Sequence, residues 1–542
     1  MTPPLLTLDS FCVAYPQQAN WAVENVSLSL EPGEMLGLVG ESGCGKSTLG
    51  RAALRLLPGG SRTDGRSLFE GRDVFGLTAQ DIRRFRGEAV SLVFQDPMTR
   101  LNPLMTIGDH CVETLRAHRS DLSRQAAKEI AIATLKSVSI PASRWEQYPH
   151  EFSGGMRQRV AIALALLLNP KLIVADEPTT SLDVTISAQI LDLLTQLCRE
   201  RGMALILISH DLALVGEYCD RIAVMYQGKL VELGSTEQVL YQPQASYTQS
   251  LLQAAHQLQN YEAEGVTEPE NHGPPLLRVQ DLIKHYTIEQ TLLSKLFNRT
   301  PPDTIRAVDG ISIDLHPGEV LGLVGESGCG KSTFSRALMQ IIPPTSGRVE
   351  FMGQNLVGLS RSQLQLQRRN FQMIFQDPHA CLNPMMTVGR GIADPLIIHG
   401  LATASEAKQM VHSMLTRVGL TPADYYHRYP SDLSGGQQQR VAIARALITK
   451  PKLVICDEPV SMLDASVQAQ VLELMLELKD ELELTYLFIT HDLWVARYLC
   501  DRIAVMNNGK IVELEPTEKL FNSPQHPYTK TLLSAAPLLA TS

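Results

Sequence analysis

One nine-residue sequence, GESGCGKST, occurs twice in this chain of 542 residues and could bind a polyphosphate. Each copy fits the pattern G-x-x-x-x-G-K-[ST]. Its glycines let successive backbone N–H groups surround the phosphates, and its lysine neutralises the β and γ oxygens. We predict two nucleotide-binding loops, in which Ser47 and Ser332 also ligate Mg²⁺. The predicted loop residues are Gly40, Glu41, Ser42, Gly43, Cys44, Gly45, Lys46, Ser47, Thr48, Gly325, Glu326, Ser327, Gly328, Cys329, Gly330, Lys331, Ser332 and Thr333.

A pair of acidic residues ends each of two apolar segments downstream, KLIVADEP (171–178) and KLVICDEP (452–459). We predict that Asp176 and Asp457 hold Mg²⁺, because carboxylate oxygens suit that ion. Glu177 and Glu458 follow at the strand ends, where a general base could orient an attacking water. Solubilising acids at a strand end are the alternative. The position downstream of a phosphate loop favours the catalytic interpretation.

A Ser-Gly-Gly sequence precedes an apolar-faced helical segment in each half of the chain. The free N–H groups and the dipole of a helix N-terminus predict a second anion site there. An ordinary helix cap is the alternative, since serine and glycine are both favoured at that position. Repetition in register with the phosphate loops favours the anion site. Its residues are Ser153, Gly154, Gly155, Ser434, Gly435 and Gly436.

The two halves of the chain are copies of each other. FQDP at Phe94 recurs at Phe375, and the pair Tyr247-Thr248 recurs as Tyr528-Thr529, both with an offset of 281 residues. A period this long indicates domain duplication, because solenoid repeats run roughly 20–50 residues. We predict a first domain over 1–257, an acidic Gly- and Pro-containing linker over 258–275, and a second domain over 276–542. Residues 289–303 form an extra segment whose role the sequence leaves open.

The composition restricts the partners. Lys and Arg total 48 against 57 Asp and Glu, for a net charge of −9, which argues against a general nucleic-acid surface. No apolar run reaches the roughly 20 residues that cross a bilayer, and we expect no secretory signal. The nine cysteines are scattered without a CxxC pair, which favours a reducing cytosol and gives no metal framework. Apolar β-rich runs alternate with helical stretches, which predicts a parallel sheet flanked by helices.

Together these motifs resemble those of the ATP-binding-cassette (ABC) ATPases over nearly the whole chain. Lys46 and Lys331 match Walker A, Asp176 and Asp457 match Walker B, and the Ser-Gly-Gly sequences match the signature motif. SLD (181–183) and MLD (462–464) match the D-loop. Tyr15 and Tyr286 are candidates to stack on adenine, although an ordinary strand tyrosine remains an equal alternative. The Q-loop and switch positions are matched by Gln95, Gln376, His210 and His491.

The resemblance implies an α/β fold with two tandem P-loop NTPase domains. Each would have a RecA-like mixed sheet core, an antiparallel β-subdomain and a helical signature subdomain. It also implies ATP and Mg²⁺ as ligands, with Gln95 and Gln376 on the metal and the histidines at the γ-phosphate. Each nucleotide would be held between the two halves, with Lys46 opposite Ser434 and Lys331 opposite Ser153. All named catalytic residues are present twice, so we predict two active sites.

Two further features resemble the oligopeptide/dipeptide importer ATPases. The Q-loops continue as QDPMTRLNPLMTIG (95–108) and QDPHACLNPMMTVG (376–389), and SPQHPYTKTLLSAAP (523–537) has a weaker copy at 242–255. The chain looks like both ATPase subunits of an importer fused head to tail. That resemblance implies two membrane permease subunits, an extracytoplasmic solute-binding protein, and a peripheral location on the cytoplasmic face of a prokaryotic inner membrane.

The sequence does not identify the solute, and peptides, nickel chelates, glutathione and peptide-like antibiotics are candidates. The main rival function is a soluble tandem ATPase that acts on ribosomes or nucleic acid. Such proteins join their cassettes through a long, charged, helical linker. The segment between these two halves is about 20 residues and not basic, so we expect no nucleic-acid partner.

Overall fold

A computed structural model describes residues 3–95, 100–179, 182–259, 273–287, 304–536 and 538. Most of the predicted linker 258–275, the extra segment 289–303, residues 96–99 of the first Q-loop and Ser181 of the first D-loop lie outside these residues. The chain divides between His256 and Gln257 into two compact units, called the first lobe and the second lobe below.

Both lobes contain strands and helices in nearly the same order. The first-lobe strands are β1 (Leu6–Ala14), β2 (Val23–Leu30), β3 (Met35–Val39), β4 (Arg62–Phe69), β5 (Arg72–Asp73), β6 (Val90–Val93), β7 (Leu172–Asp176), β8 (Ala204–Ile208), β9 (Arg221–Tyr226) and β10 (Lys229–Ser235). The helices that begin in this lobe are α1 (Lys46–Ala53), α2 (Ala79–Arg84), α3 (Ile107–His118), α4 (Arg124–Ser137), α5 (Gly154–Leu166), α6 (Val184–Arg201), α7 (Leu212–Tyr218), α8 (Thr236–Tyr241) and α9 (Ser246–Gln259).

The second lobe repeats this series. Its strands are β11 (Leu277–Thr287), β12 (Thr304–Leu315), β13 (Val320–Val324), β14 (Ser346–Phe351), β15 (Gln354–Asn355), β16 (Phe371–Ile374), β17 (Leu453–Asp457), β18 (Thr485–Thr490), β19 (Arg502–Asn507) and β20 (Lys510–Pro516). Its helices are α10 (Lys331–Leu338), α11 (Arg361–Arg368), α12 (Pro378–Cys381), α13 (Val388–Ile398), α14 (Ala404–Arg417), α15 (Pro422–Tyr425), α16 (Gly435–Leu447), α17 (Ala465–Leu482), α18 (Leu493–Leu499), α19 (Thr517–Asn522) and α20 (Pro527–Ala535).

A six-stranded mixed sheet forms the centre of each lobe, in the order β10-β9-β3-β8-β7-β6 and its counterpart β20-β19-β13-β18-β17-β16. Only the edge pairs β9–β10 and β19–β20 are antiparallel. Strands β3, β7 and β8 are buried along their whole length, as expected for parallel strands covered on both faces. Because parallel strands end at the same edge, the residues that follow them are brought together.

A smaller antiparallel sheet covers the first helix of each lobe, in the orders β2-β1-β4-β5 and β12-β11-β14-β15. Its inward side chains share one apolar core with that helix and one face of the large sheet. Phe11, Leu49 and Ile206 represent these three layers in the first lobe. This layering fixes the helix that follows each phosphate loop against the sheet.

A helical subdomain forms the third part of each lobe and comprises α3–α5 or α13–α16. A glycine in the first turn of its leading helix lets an aromatic ring pack against the backbone. A Cβ on Gly108 would lie 2.2 Å from Trp145, and one on Gly389 would lie 2.5 Å from Tyr426. The predicted fold class, two tandem α/β lobes with antiparallel and helical parts, is confirmed. None of the helices described is both long and apolar enough to cross a lipid bilayer.

Candidate nucleotide sites

Each phosphate loop connects a buried central strand, β3 or β13, to the first helix of its lobe. Gly45 and Gly330 cap these helices with φ of 104° and 113°, a region that other residues rarely adopt. A Cβ at these positions would lie 2.6 Å from the carbonyl of Ala22 or 1.9 Å from that of Ala307. Both glycines are therefore required by the close approach of a neighbouring backbone.

The loop lysines are buried and directed into their own loops. Lys46 Nζ donates hydrogen bonds to the carbonyl oxygens of Gly40 and Glu41 at 2.6 and 2.9 Å. Lys331 Nζ makes the same bonds to Gly325 and Glu326 at 2.6 and 3.0 Å. Each ammonium group thus lies at the centre of its loop, held by carbonyl groups that an incoming phosphate can replace.

Two of the three predicted metal ligands, the serine and the aspartate, lie side by side in each lobe, whereas the third, Gln95 or Gln376, is hydrogen-bonded to the glutamate. Ser47 Oγ donates to Asp176 Oδ1 at 2.6 Å, and Ser332 Oγ donates to Asp457 Oδ1 at 3.3 Å. The carboxylates are almost fully buried, and Arg51 forms an ion pair with Asp176 at 3.2 Å. A hydroxyl and a carboxylate oxygen beside a phosphate loop fit Mg²⁺, which takes one or two carboxylates and completes its shell with phosphate and water oxygens.

The predicted general bases bring the Q-loop and switch residues together. Gln95 Nε2 donates to Glu177 Oε2 at 2.8 Å, and His210 Nδ1 lies 3.8 Å from Glu177 Oε1. In the second lobe, Gln376 Nε2 donates to Glu458 Oε2 at 2.8 Å, and His491 Nδ1 lies 3.1 Å from the same oxygen. Three residues predicted separately from the sequence therefore lie together at each sheet edge, with the glutamine hydrogen-bonded to the glutamate in both lobes and the histidine closer to it in the second.

The backbone of both glutamates is left-handed, with φ of 47° at Glu177 and 49° at Glu458. Such values are uncommon outside glycine and store strain of order 1–3 kcal/mol. The N–H of Glu177 donates to Ile208 O on the neighbouring strand at 3.0 Å, and Glu458 repeats this bond with Ile489 at 2.9 Å. The strained turn aims each carboxylate away from its strand toward Gln and His. The sequence analysis missed this feature.

The acids and the histidine of the second lobe have shifted pKa values. Burial, followed by the charge of Glu458, raises the pKa of Asp457. Burial also raises the pKa of Glu458, but the hydrogen bond and charge of His491 and the charge of Lys331 outweigh it, so the net pKa is lowered. Burial lowers the pKa of His491, but its hydrogen bond to Glu458 outweighs this and the net pKa is raised. His491 and Glu458 therefore favour the ion-paired state.

The signature serines cap their helices. Ser153 Oγ accepts from the N–H of Met156, and Ser434 Oγ from that of Gln437, both at 3.4 Å. Gln437 completes a capping box by accepting from the N–H of Ser434 at 3.0 Å. The cap interpretation thus describes the local geometry, and the anion site remains a prediction.

The two tyrosines considered for adenine stacking lie in different surroundings. The hydroxyl of Tyr15 is hydrogen-bonded to Thr48 Oγ1 at 2.9 Å, so this side chain contacts the first turn of α1. Tyr286 is 40 % exposed, and the ammonium of Lys284 lies 5.1 Å from its ring centroid. The structure therefore brings Tyr15 to a phosphate loop, and adenine stacking by either residue stays a prediction.

Two tyrosines that were not predicted as site residues contact the phosphate loops. The hydroxyl of Tyr247 accepts from the N–H of Glu41 at 3.2 Å, and that of Tyr528 accepts from the N–H of Glu326 at 3.1 Å. The repeated Tyr-Thr pair was visible in the sequence. Its contact with a loop about 200 residues earlier depends on tertiary packing.

Family profiles match most of the folded chain. The profile described as "ABC transporter" matches residues 23–180 and 308–461. The profile described as "Oligopeptide/dipeptide transporter, C-terminal region" matches residues 231–281 and 512–541.

Several named proteins match nearly the whole chain. The glutathione import ATP-binding protein GsiA of Pectobacterium atrosepticum is 44 % identical over 95 % of this chain and 86 % of its own. The protein of the same name from Escherichia coli K12 is 42 % identical over 99 % of this chain and 90 % of its own. Among solved structures, a dimeric post-hydrolysis state of an ATP-binding cassette bound to ADP and Pi is 28 % identical, with a TM-score of 0.40. It covers 44 % of this chain and 98 % of its own.

Proposed function

This chain belongs to the ABC transporter ATPases, and from that premise we propose that it powers the uptake of peptides or similar small solutes through separate permease subunits. One observation carries the proposal. Each lobe gathers the same lysine, serine, aspartate, glutamate, glutamine and histidine at one sheet edge, and each lobe also has the importer-type C-terminal region. Two complete hydrolytic sites on one chain suit an importer that needs a pair of ATPase units.

ATP is the substrate in this proposal, and the lysines are its first contacts. Lys46 and Lys331 exchange the loop carbonyls for β- and γ-phosphate oxygens, which neutralises charge inside a buried site. Ser47 with Asp176, and Ser332 with Asp457, hold Mg²⁺, which supplies electrostatic stabilisation of the phosphates when bound. The hydrogen bonds between these oxygen atoms support the assignment, because they already bring the donor set together.

Glu177 and Glu458 act as the bases that orient water for attack on the γ-phosphate. Gln95 and Gln376 each hold one carboxylate oxygen, and His210 and His491 lie beside the carboxylates at the γ-phosphate side. In phosphoryl transfer, positioning and electrostatics provide most of the rate enhancement. The left-handed backbone of each glutamate supports this role, since strain of this kind concentrates at active sites.

Each nucleotide is completed by the signature helix of the opposite lobe. Lys46 shares its ATP with Ser434, and Lys331 shares its ATP with Ser153. The free N–H groups at the starts of α5 and α16 provide the second anion contact. ATP then favours a closed state of the two lobes, and hydrolysis removes that preference. We propose two active sites, one per Walker A loop, and the domain limits 1–257 and 276–542 with a linker between.

The segment after each Q-loop is the docking surface for the permease. Asn102 Oδ1 accepts from the N–H of Leu104 at 3.0 Å, and Asn383 does the same for Met385 at 3.0 Å. These Asx turns leave Leu104 85 % and Met385 83 % exposed. In the second lobe the neighbouring Met386 lines a cavity of about 470 Å³ between α13 and α16. An exposed apolar side chain at the same place in both lobes could pack against a helix of the permease.

The partners are two integral-membrane permeases and an extracytoplasmic solute-binding protein, with this chain on the cytoplasmic face of a prokaryotic inner membrane. The relatives named for glutathione import lead us to propose glutathione or a related short peptide as the solute. The ATPase does not itself recognise the solute in this arrangement. The binding protein does.

The test is reconstitution in vesicles with the permeases and the binding protein. We expect ATP-dependent accumulation of labelled glutathione or a labelled dipeptide. Lys46→Ala combined with Lys331→Ala should abolish it. Failure to copurify with permeases, together with comigration with ribosomes, would contradict the importer function. Uptake of a dipeptide without glutathione would revise only the solute.

A further inference from the structure

In each lobe the C-terminal tail touches the phosphate loop through one tyrosine. The first tail comprises residues 242–256, and the second tail comprises residues 523–536. Tyr247 accepts a hydrogen bond from the backbone N–H of Glu41 at 3.2 Å, and Tyr528 accepts one from Glu326 at 3.1 Å. Both tyrosines are half-buried, and the threonine after each is fully buried. The same contact is present in both copies of the fold.

A glutamate on the last strand anchors the start of each tail. In the first tail, the Glu232 carboxylate accepts from the N–H groups of Gln244 at 2.7 Å and Ala245 at 3.1 Å. In the second tail, Glu513 accepts from Gln525 at 2.7 Å and His526 at 3.0 Å. A carboxylate that accepts two backbone hydrogen bonds fixes the start of the tail. Each tail is therefore fixed just before its tyrosine.

The first tail has a second support at the loop. The ring of Tyr247 stacks on that of Tyr226, with centroids 4.2 Å apart and an interplanar angle of 29°. Tyr226 ends β9, the neighbour of β3, which delivers the chain into the phosphate loop. The repeat places Asn507 at the equivalent position of the second lobe, so this stack belongs to the first lobe. In the second lobe, Tyr528 has its hydrogen bond to the loop and follows the segment that Glu513 anchors.

Glu41 and Glu326 connect the tail to the loop lysine. The N–H of each residue donates to the tail tyrosine, and the carbonyl of the same residue accepts from Lys46 at 2.9 Å or Lys331 at 3.0 Å. The lysine therefore holds the carbonyls of the peptide units on both sides of this residue, and the tail tyrosine holds the N–H of the first unit. When the lysine leaves its carbonyl for a phosphate, the tyrosine still fixes the N-terminal side of the loop.

We propose that Tyr247 and Tyr528 are positioning residues that pre-order the phosphate loops for ATP. The inference rests on the proposed function, because it assumes that these loops bind ATP. Without the phenol oxygen, the backbone N–H of Glu41 or Glu326 loses this acceptor and the loop is less ordered before ATP binds. Part of the binding free energy of ATP is then used to order the loop, so the affinity for ATP falls. Removal of one such hydrogen bond is expected to lower the affinity for ATP about 3- to 10-fold. We expect the chemical step to be retained, because the hydroxyls bond to the backbone of the phosphate loop.

The test compares Tyr247→Phe, Tyr528→Phe and their combination with the wild-type chain. These changes keep the ring and remove only the hydroxyl. We expect the KM and Kd for ATP to rise about 3- to 10-fold, with kcat retained within about 2-fold. Tyr241→Phe is the matched control, because it removes a hydroxyl from a 44 % exposed side chain on α8. Its KM should equal that of the wild type.

An unchanged KM and Kd in the folded double Phe variant would overturn the inference while leaving the ATPase function intact. A wild-type chain that binds no ATP would instead contradict the proposed function. Glu232→Gln with Glu513→Gln is the second variant, because it weakens the tail anchors without touching a loop. A raised KM there supports the inference. If the Phe variants do not fold, an unchanged KM in this folded variant overturns it.

Discussion

The side-chain amide of Gln95 donates a hydrogen bond to the carboxylate of Glu177 at 2.8 Å. Gln376 and Glu458 repeat this bond at the same distance. The partners are neighbours because they follow adjacent parallel strands, β6 and β7 or β16 and β17. The glutamine also begins the segment that we propose as the permease docking surface. A movement of that segment would therefore change the hydrogen bonding of the proposed general base, which would give a physical route between transport and hydrolysis.

Replacing both bases should separate ATP binding from hydrolysis. Glu177→Gln with Glu458→Gln keeps the shape of each side chain and its ability to accept a hydrogen bond, but removes the base. We expect ATP to bind normally and turnover to fall about 10²- to 10⁴-fold. Phosphate release measures turnover, and retention of labelled ATP during gel filtration measures binding.

The matched control for this variant is Glu473→Gln with Glu477→Gln on the exposed face of α17. This control also replaces two glutamates by glutamines, but at positions away from the sheet edges that carry Glu177 and Glu458. We expect wild-type turnover from the control. Wild-type turnover from the Glu177 and Glu458 variant would remove these residues from the mechanism.

Charging the proposed docking surface should uncouple the ATPase from its permease. Leu104→Asp with Met385→Asp places a carboxylate where each side chain is more than four-fifths exposed, at 85 % and 83 %. The free chain should keep its stability and basal ATPase rate, since surface changes of this kind are usually within about 0.5 kcal/mol. Burying an unpaired charge against an apolar partner is costly, so we expect permease copurification to be lost.

Met352→Asp provides the control for this experiment. Met352 is 57 % exposed in the turn between β14 and β15, and its φ of 51° is one that aspartate tolerates. Permease binding should survive this change. If the Leu104 and Met385 variant still copurified with the permease, the docking surface would lie elsewhere.

The His491–Glu458 pair predicts a pH window for the stability of the second lobe. The pKa of His491 is raised, so its contribution is fully present below the ordinary histidine value of 6.5 and is lost as pH rises through the raised pKa. The pKa of Glu458 is lowered, so its contribution is present above the ordinary value of 4.5 and is lost as pH falls through the lowered pKa. The pair should stabilise most between these two ordinary values.

The test is to measure the free energy of unfolding of the wild type and of Glu458→Gln at pH values from about 4 to 9. We expect the difference in unfolding free energy to be largest near about pH 5 to 6 and to decline on both sides. NMR titration should also show a lower pKa for His491 in the variant. An unchanged His491 pKa would mean that the carboxylate does not hold this proton.

The sequence predicted most of the candidate site because its residues follow strands. Lys46, Asp176 and His210 come from distant segments, but buried parallel strands end at a common edge and bring them together. The alternation of apolar and helical segments predicts the parallel sheet, and the repeat predicts two domains. The antiparallel and helical subdomains are implied only by the resemblance to the ABC ATPases.

Other features depend on packing that no local pattern encodes. The left-handed φ of Glu177 and Glu458 arises where each strand end bonds to its neighbour, at a residue type that rarely adopts this conformation. The contact between Tyr247 and Glu41 joins residues far apart in sequence. The capping box at Ser434 depends on Gln437, whereas the first lobe has Met156, which cannot accept such a bond.

The cysteines inside the phosphate loops give a chemical probe of nucleotide binding. Cys44 and Cys329 are buried, and their sulfurs lie 3.9 and 4.0 Å from the loop lysine Nζ atoms. Burial raises the pKa of the Cys329 thiol, so we expect slow alkylation near pH 7, faster reaction at higher pH, and loss of ATP binding on modification. Bound ATP should protect both thiols, and Cys44→Ala with Cys329→Ala should keep its activity during treatment. Mass spectrometry of the loop peptides measures the labelling rate, and equal rates with and without ATP would show that the nucleotide does not cover these loops.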